Sequence, residues 1–580
     1  MVGKTIDVEN ILQPDQLGTQ IAEHWRRWNN AKQTKIEEWK ELRNYLFATD
    51  TRTTSNQVLP WANSTTTPKL TQIRDNLHAN YFAALFPSYD WMKWEPNDRE
   101  SNNGLKAKAI KSYLRAKLNK INAEEIFSQL LYDWIDYGNC FARVEHVTDI
   151  VDNGDQPVVK YTGPTIHRIS PYDICFNPLA PSFRESPKII KSVMSLGDIK
   201  KMVVKDPTSS YMMPALEKAY AARATVSGMD SELSKSDGYV ADGFGNIQEY
   251  YASGYIEVLT FFGDIYDITT KEFKENRIIT IIDRAHVLRD IPNPSWNGSD
   301  NIHHAGWRTR PDNLYAMGPL DNLVGMQYRI DHLENMKADV WDQIAYPILK
   351  VKGDVEDFVF QPGERIYLGD EGDVAYLSPD VTALNADLQI NNLENKMEEL
   401  AGAPKNAMGI RTPGEKTAFE VNQLLTAANR IFEHKTAHFE RSFLEPILND
   451  MLEVGRRNLN VADTIGIFDA DMNVTVFQDI TKEDITGNGV LRPVGARHFA
   501  ERARRLQNLQ QMWAAKQADP TVAAHLSGKE FARIMADELN EEKLFGVNIA
   551  IFEQAETQQA VNNIQVQMEE QEMVSAELGV

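Results

Sequence analysis

Residues 319–343 read PLDNLVGMQYRIDHLENMKADVWDQ, and residues 401–421 read AGAPKNAMGIRTPGEKTAFEV. In the first stretch Leu323, Met326, Ile330, Leu333, Met336 and Val340 recur at steps of three and four, a near-heptad seam that predicts a helix face built to meet other helices. At 1.5 Å per residue such a helix spans about 37 Å, comparable to a domain diameter. It leads into a β-like module, Tyr346 to Ser378, whose strand-like runs are Ile348 to Val351, Phe358 to Phe360 and Arg365 to Leu368. A shorter helical segment follows, from about Leu384 to Leu400. The Gly- and Pro-rich second stretch then opens into a helical pattern that continues from Lys416 almost to Leu459. Pro446 removes a backbone donor inside that pattern, so a kink is expected between Arg441 and Pro446.

Outward from this centre the chain mixes both kinds of element. Gln16 to Phe47 carries Trp25, Trp28, Ile36, Trp39, Leu42 and Leu46 at mostly helical spacing. Thr51 to Pro68 is rich in Ser, Thr and Asn and reads as a loop before helices at Lys69 to Phe86, Leu105 to Ile121 and Glu124 to Tyr137. Strand-like runs occupy Cys140 to His146 and Val158 to Thr162 around a turn at Asp149 to Asp155, which lacks the spacing and closing Glu of a calcium loop. Ile256 to Phe262 and Arg277 to Ile282 alternate as strands, and Met229 to Asn246 has the composition of an exposed loop. Ile465 to Phe477 reads as strands, followed by helical patterns at Ala496 to Gln517, Gly528 to Leu539 and Ile551 to Met573. The fold class expected is mixed α/β and helix-rich.

Length and composition narrow the function. The 580 residues allow several domains, and 42% hydrophobic with 25% charged residues is globular. A net charge of -22 argues against a surface that wraps nucleic acid through clustered cations. It suits either a channel that lets DNA slide without sticking or simple solubility. Cys140 and Cys175 are too few for a disulfide framework or a zinc site. The beginning of the chain lacks the apolar core of a signal peptide, and no uncharged apolar run reaches the ~18 residues of a membrane helix.

The nearest approach to a catalytic motif is Gly409 to Thr417, which almost spells the phosphate loop G-x-x-x-x-G-K-[ST]. Glu415 intrudes between Gly414 and Lys416, placing a negative charge where backbone N–H groups would cradle phosphate. The same residues make sense as a loop entering a helix, with Thr412 or Gly414 at its start and Glu415 where the helix dipole favours an acid. His303 and His304, with Trp307 to Arg310, imitate a metal or nucleic-acid patch but lack partners at ligand spacing. Arg497, Arg502, Arg504 and Arg505 form the charged face of an ordinary amphipathic pattern. No serine-hydrolase, zinc-protease or dinucleotide fingerprint is present, so no enzyme and no cofactor is expected.

The order helix, β module, helix, Gly/Pro loop and long helix, with GIRTPGEKTAFEV at 409–421 and LPWANSTTT at 59–67, resembles the portal proteins of tailed bacteriophages, especially short-tailed ones. The resemblance implies a wing (1–318, returning at 416–480), a stem helix (319–344), a clip (345–382), a second stem helix (383–401), a channel loop (402–415), and a helical crown and tail (481–580). It implies that Lys405, Asn406 and Arg411 touch DNA in the channel. Lys350, Lys352, Asp354, Glu356 and Asp357 would meet partners at the clip. The seam Leu323, Met326, Ile330, Leu333, Met336 and Val340 would pack a homo-oligomeric ring of about twelve copies, a dodecamer. Double-stranded DNA, the large terminase subunit, head-tail adaptor and tail proteins, and the major capsid and scaffolding proteins are the partners implied. The location implied is the portal vertex of the virion, and the bacterial host cytoplasm during assembly. The alternative is a nucleotide-dependent DNA-processing enzyme using the Gly409 to Thr417 loop.

Overall fold

A computed structural model of the chain describes residues 3–47, 63–86, 91–98, 101, 104–152, 157–205, 210–222, 255–353, 367, 369, 372–377, 381–401, 431–460, 462, 463–469, 474–494, 508–514, 531, 534–535 and 558. Strand and helix are interleaved along the chain, giving a mixed α/β protein. Two compact units divide at Pro493 and Val494. In the second, the 508–514 segment is helical and Trp513 stacks on Phe531 at 4.7 Å between ring centroids.

The first unit begins with β1 (Thr5–Val8), α1 (Pro14–Phe47), α2 (Lys69–Leu85), β2 (Met92–Pro96), α3 (Gly104–Lys120) and α4 (Ala123–Asp136). There follow β3 (Asn139–Asp152), β4 (Pro157–Ile169), β5 (Ile174–Phe176), β6 (Lys188–Ser195), α5 (Leu196–Lys205) and α6 (Met213–Ala222). After these come β7 (Tyr255–Asp267), β8 (Phe273–Ile282), β9 (His286–Pro292), β10 (Ile302–Gly306), β11 (Arg308–Arg310) and β12 (Asn313–Met317). The centre read from sequence is α7 (Val324–Ala345), β13 (Ile348–Lys352), β14 (Asp373–Leu377), a 3-10 segment (Val381–Ala386) and α8 (Asp387–Ala401). The unit closes with α9 (Glu445–Asn458), β15 (Asp463–Asp469), β16 (Val474–Ile480), α10 (Lys482–Ile485) and β17 (Gly489–Pro493).

One sheet runs β5-β6-β7-β8-β9, with β1 parallel to the far half of β7 where β6 has ended. Its central strands are predominantly apolar along Ile256–Phe262 and Ile278–Ile282 because both faces are covered, as a doubly packed sheet requires. Ile279 and Ile281 of β8 turn with Leu259 and Phe261 of β7 toward Leu17, Ile21 and Trp25 on α1. Ile278 and Phe262 join a second cluster around Phe141 and Phe176, and Ile282 a third around Leu196 and Leu216. At Gly18, α1 passes so close to the β8–β9 turn that an added Cβ would lie 2.1 Å from the Ala285 carbonyl oxygen. Asp267 at the end of β7 accepts backbone N–H groups from Ile11 (2.8 Å) and Thr269 (2.8 Å), tying the loop after β1 to the β7–β8 turn.

The larger core gathers α2, α3, α4, the start of α7, α8 and the helix ending in α9 around Trp134, Tyr81 and Trp307. Two fork-to-fork ion pairs anchor α4 inside it. Arg168 of β4 grips Asp133 with both contacts at 2.6 Å, and Arg74 of α2 grips Asp136 at 2.6 and 2.8 Å. Such pairing is what lets two carboxylates sit buried on one helix.

The kink expected before Pro446 takes a specific form. Residues 431–439 are helical, Glu440–Leu444 form one π turn in which Glu445 N–H bonds the Glu440 carbonyl, and α9 continues with Pro446 in its first turn. The wider turn absorbs the ring and its missing donor without ending the helix. Residues after 481, expected to begin the crown, pack with the elements before them: β17 pairs antiparallel with β2, and Asn449 of α9 both donates to the Leu491 carbonyl (3.0 Å) and accepts its N–H (2.9 Å). Residues 481–493 therefore belong to the first unit. The long-range pairing that puts them there leaves no signature in local periodicity.

Gly18→Ala is expected to destabilise the first unit by about 1–3 kcal/mol, because the clash is with backbone and overpacking outweighs the better helix propensity of Ala. The midpoint of denaturant unfolding reads this out. An unchanged or higher midpoint would mean α1 can move off the sheet at no cost.

Candidate assembly surface

Helix α7 is organised by two faces that the seam alone does not reveal. On one, Gln327, Asp331, Asn335 and Asp339 stand four residues apart and meet an extended segment, Asn63 to Pro68, and the first turn of α2. Asp339 accepts the N–H of Asn63 (2.7 Å), Asn335 that of Thr65 (2.9 Å), Asp331 that of Thr67 (2.9 Å) and Gln327 that of Leu70 (3.2 Å). Asn335 also donates to the Thr65 carbonyl (2.9 Å) and Gln327 to that of Thr67. The match is geometric: four helical residues rise about 6 Å, and two extended residues about 6.6 Å. From Asp339 to Asp331 each turn of helix thus serves the next outward-facing backbone group of the extended segment, and Gln327 serves Leu70 in the first turn of α2. Asp342 extends the ladder by accepting from the Asn63 side chain (2.8 Å).

The Leu59 to Thr67 phrase is therefore, over its described residues, a strap bound to α7. Sequence reading singled out the phrase and the helix but not their union. The available signal was the run of short polar acceptors at Gln327, Asp331, Asn335 and Asp339, hidden because they occupy the face beside the apolar seam.

The seam residues divide along the helix. Leu323, Ile330 and Leu333 are buried in the chain's own core, with Met326 packed against it. These four face the chain's own core: α7 starts beside α1 and α2, and its apolar face is used there. Beyond Leu333 that cover ends. Met336 is 41% exposed, Trp341 58% and Tyr346 76%, while Val340 is half-buried. α8 returns beside α7 and is pinned to the start of α2 by the Lys69–Glu398 ion pair at 2.7 Å.

Between the helices, β13 and β14 form a two-stranded antiparallel ribbon, with Ile348 opposite Leu377 and Lys352 opposite Asp373. The second strand is Asp373–Leu377, which sequence reading did not single out; the runs at 358–360 and 365–368 lie outside the described residues except Tyr367. Opposed residues share a face, so Leu349, Val351, Val374 and Tyr376 make one wholly apolar face, and Lys350 and Lys352 stand on the other. Val351 is 52% exposed, and no residue of either strand is buried. A ribbon of two strands with an open apolar face is marginal by itself and gains stability only when that face is covered.

Lys350 and Lys352 are exposed on this ribbon. Asp354, Glu356 and Asp357 of the same expected surface lie outside the described residues, as do Lys405, Asn406 and Arg411, the Gly409 to Thr417 motif and the arginines at 497, 502, 504 and 505. The two adjacent histidines are separated by β10. His303 bonds Asp450 of α9 (2.9 Å), and His304 turns the other way to Asn139 (3.0 Å), where burial drives its pKa down to about 3. Among the described residues no group of three or more His, Cys, Asp or Glu side chains is placed to hold a metal ion, and no helix is long and apolar enough to cross a membrane.

No model of a known protein family matches the chain, and a search of curated proteins finds no match either.

Asp331 lies wholly buried within the ladder, and burial pushes its carboxyl from 3.8 up to about 6 against the Thr67 N–H and Gln327 bonds that favour the charge. A folded pKa above the unfolded one means the contribution is complete below about pH 4 and is lost as pH rises through about 6. Asp331→Asn keeps an acceptor for Thr67 without the charge. It should match the wild type in denaturant at pH 4 and exceed it at pH 7. Equal midpoints at both pH values would show that the buried carboxylate costs nothing.

Proposed function

We propose that this chain is the subunit of a portal-type ring, a channel through which double-stranded DNA is packaged and released at one capsid vertex. The observation that carries the reading is the helix-ribbon-helix arm, α7 to α8, whose outer half exposes large apolar side chains on both helix and ribbon. Such a surface gains stability when it is covered, and neighbouring copies or partners can supply that cover. The residues best suited to contact between copies are Met336, Val340, Trp341, Leu349, Val351, Val374 and Tyr376. A head-to-tail contact that closes makes a ring.

In this reading the arm is stem and clip, and the ribbon face bearing Lys350 and Lys352 meets the terminase during packaging and an adaptor afterwards. Lys405, Asn406 and Arg411 are the channel-loop residues that touch phosphate. A few cations give weak, salt-screened contact, which suits sliding better than a continuous basic track. Catalysis belongs to the separate motor. No cofactor enters the mechanism, and the wording at 409–421 and 59–67 supports the same family.

Met336→Asp combined with Val351→Asp should leave the thermal midpoint of the subunit within a few degrees of wild type while abolishing large assemblies in light scattering. Leu333→Asp, by contrast, places a charge in the subunit core and should cost several kcal/mol of folding stability. Intact rings from the Met336/Val351 double variant would remove the arm from the interface. Negative-stain images of wild type without a central hole would remove the ring itself.

Lys405→Ala with Arg411→Ala should leave assembly and capsid incorporation normal but alter DNA packaging or retention. Full packaging and retention at wild-type efficiency would count against those two residues as DNA contacts. ATP hydrolysis that depends on Lys416 would replace the reading by the nucleotide-dependent enzyme.

A further inference from the structure

The ladder between α7 and the strap holds an ionisable group with one oxygen left bare. Asp331 is wholly buried, and its Oδ1 accepts both the Thr67 N–H (2.9 Å) and the Gln327 side-chain amide (2.8 Å). Its Oδ2 is buried without a hydrogen-bond partner, and so is the hydroxyl of Thr66 on the strap. The two protonation states of such a carboxyl fit the closed ladder unequally. Protonated, it keeps Oδ1 as the acceptor of both bonds and carries no charge. Ionised, it leaves part of its charge on an oxygen that meets no donor, and a buried charge without full hydrogen bonding is costly.

Among the described residues no charged side chain offsets the ionised form. The strap, Asn63 to Pro68, and the 3-10 segment carry no ionisable residue. Lys69 of α2 is taken by Glu398 and Glu394 of α8. On α7 itself Glu334 pairs with Lys337, which also holds Asp387 of α8, and Asp339 and Asp342 meet Asn63. Lys35 of α1 is shared between Glu38 and Asp321, while Arg329 and His332 are exposed. We propose that Asp331 makes the strap a proton-controlled latch, closed on α7 while the carboxyl is protonated and opening locally to admit water to Oδ2 when it ionises. Opening loosens the contact that sets the rotation of α7, and with it the presentation of Met336 and Val340 on the outer half. The latch is a property of the single subunit and does not depend on ring formation.

The sign follows from the carboxyl being raised from 3.8 to about 6 by burial in the closed form. Closure is favoured at low pH and is lost as pH rises through about 6, so the ratio of closed to open strap should fall about tenfold between about pH 5 and pH 8. Hydrogen exchange on the full chain, read by mass spectrometry over peptides spanning 63–70 and corrected for the intrinsic pH dependence of exchange, measures that ratio. Protection should fall about tenfold in wild type and stay level in Asp331→Asn. Asp342→Asn, which alters an exposed rung, should keep the wild-type fall. Peptides from β7 and β8 should hold their protection, which tells local opening from unfolding of the whole unit. Level protection of the strap in wild type overturns the proposal. So does a fall that survives in Asp331→Asn, or one shared equally by β7 and β8.

Discussion

Everything in the arm depends on how the backbone of one extended segment is satisfied. Asn63 to Pro68 belongs to none of the named sheets, and N–H groups left unpaired at a packed surface carry a desolvation cost of about 1–3 kcal/mol each. Helix α7 removes that cost with side chains at four-residue spacing, and the strap in return holds the helix at a fixed rotation. That rotation decides which of its apolar residues enter the chain's own core and which are left outward. The inward set stabilises the subunit and the outward set is free to act between molecules.

The same device recurs at the other end of the unit in smaller form. Gln20 of α1 accepts the N–H of Glu9 (2.7 Å) and donates to its carbonyl (2.9 Å), so a helix side chain stands in for a strand beside the end of β1. Covering an open edge this way also blocks pairing with foreign strands. The ribbon β13–β14 has no such cover, and this difference separates a surface that is finished within the chain from one that is not.

Charge follows a similar division. Most buried ions are paired within the chain, as Asp133 with Arg168, Asp136 with Arg74 and Lys188 with Asp300, and these pairs knit elements distant in sequence. Lys32 is buried with its ammonium on the carbonyls of Pro171 (3.0 Å), Tyr172 (3.1 Å) and Ile174 (2.9 Å), joining α1 to the start of β5.

Local periodicity was enough to place α1, α2, α3, α4, α7, α8 and strands β7 and β8 of the doubly covered sheet, because each repeats its apolar residues at the period of its own geometry. Pro446 announced a disturbance in the last long helix for the same local reason. It could not say that the helix would widen into a π turn, since Phe439, Phe443 and Leu444 hold both sides of that turn in one core. Nor could pattern reveal that β17 returns to β2, that Asp373 to Leu377 is the partner of β13, or that four of the six seam residues pack against the subunit's own core. The two adjacent histidines show the same limit, being sent to opposite faces by a strand. The sequence by itself determined which segments become helix or strand and where their apolar faces lie. Only the tertiary structure decided which of those faces are covered, because burial is set by residues far apart in the chain whose meeting no local spacing encodes.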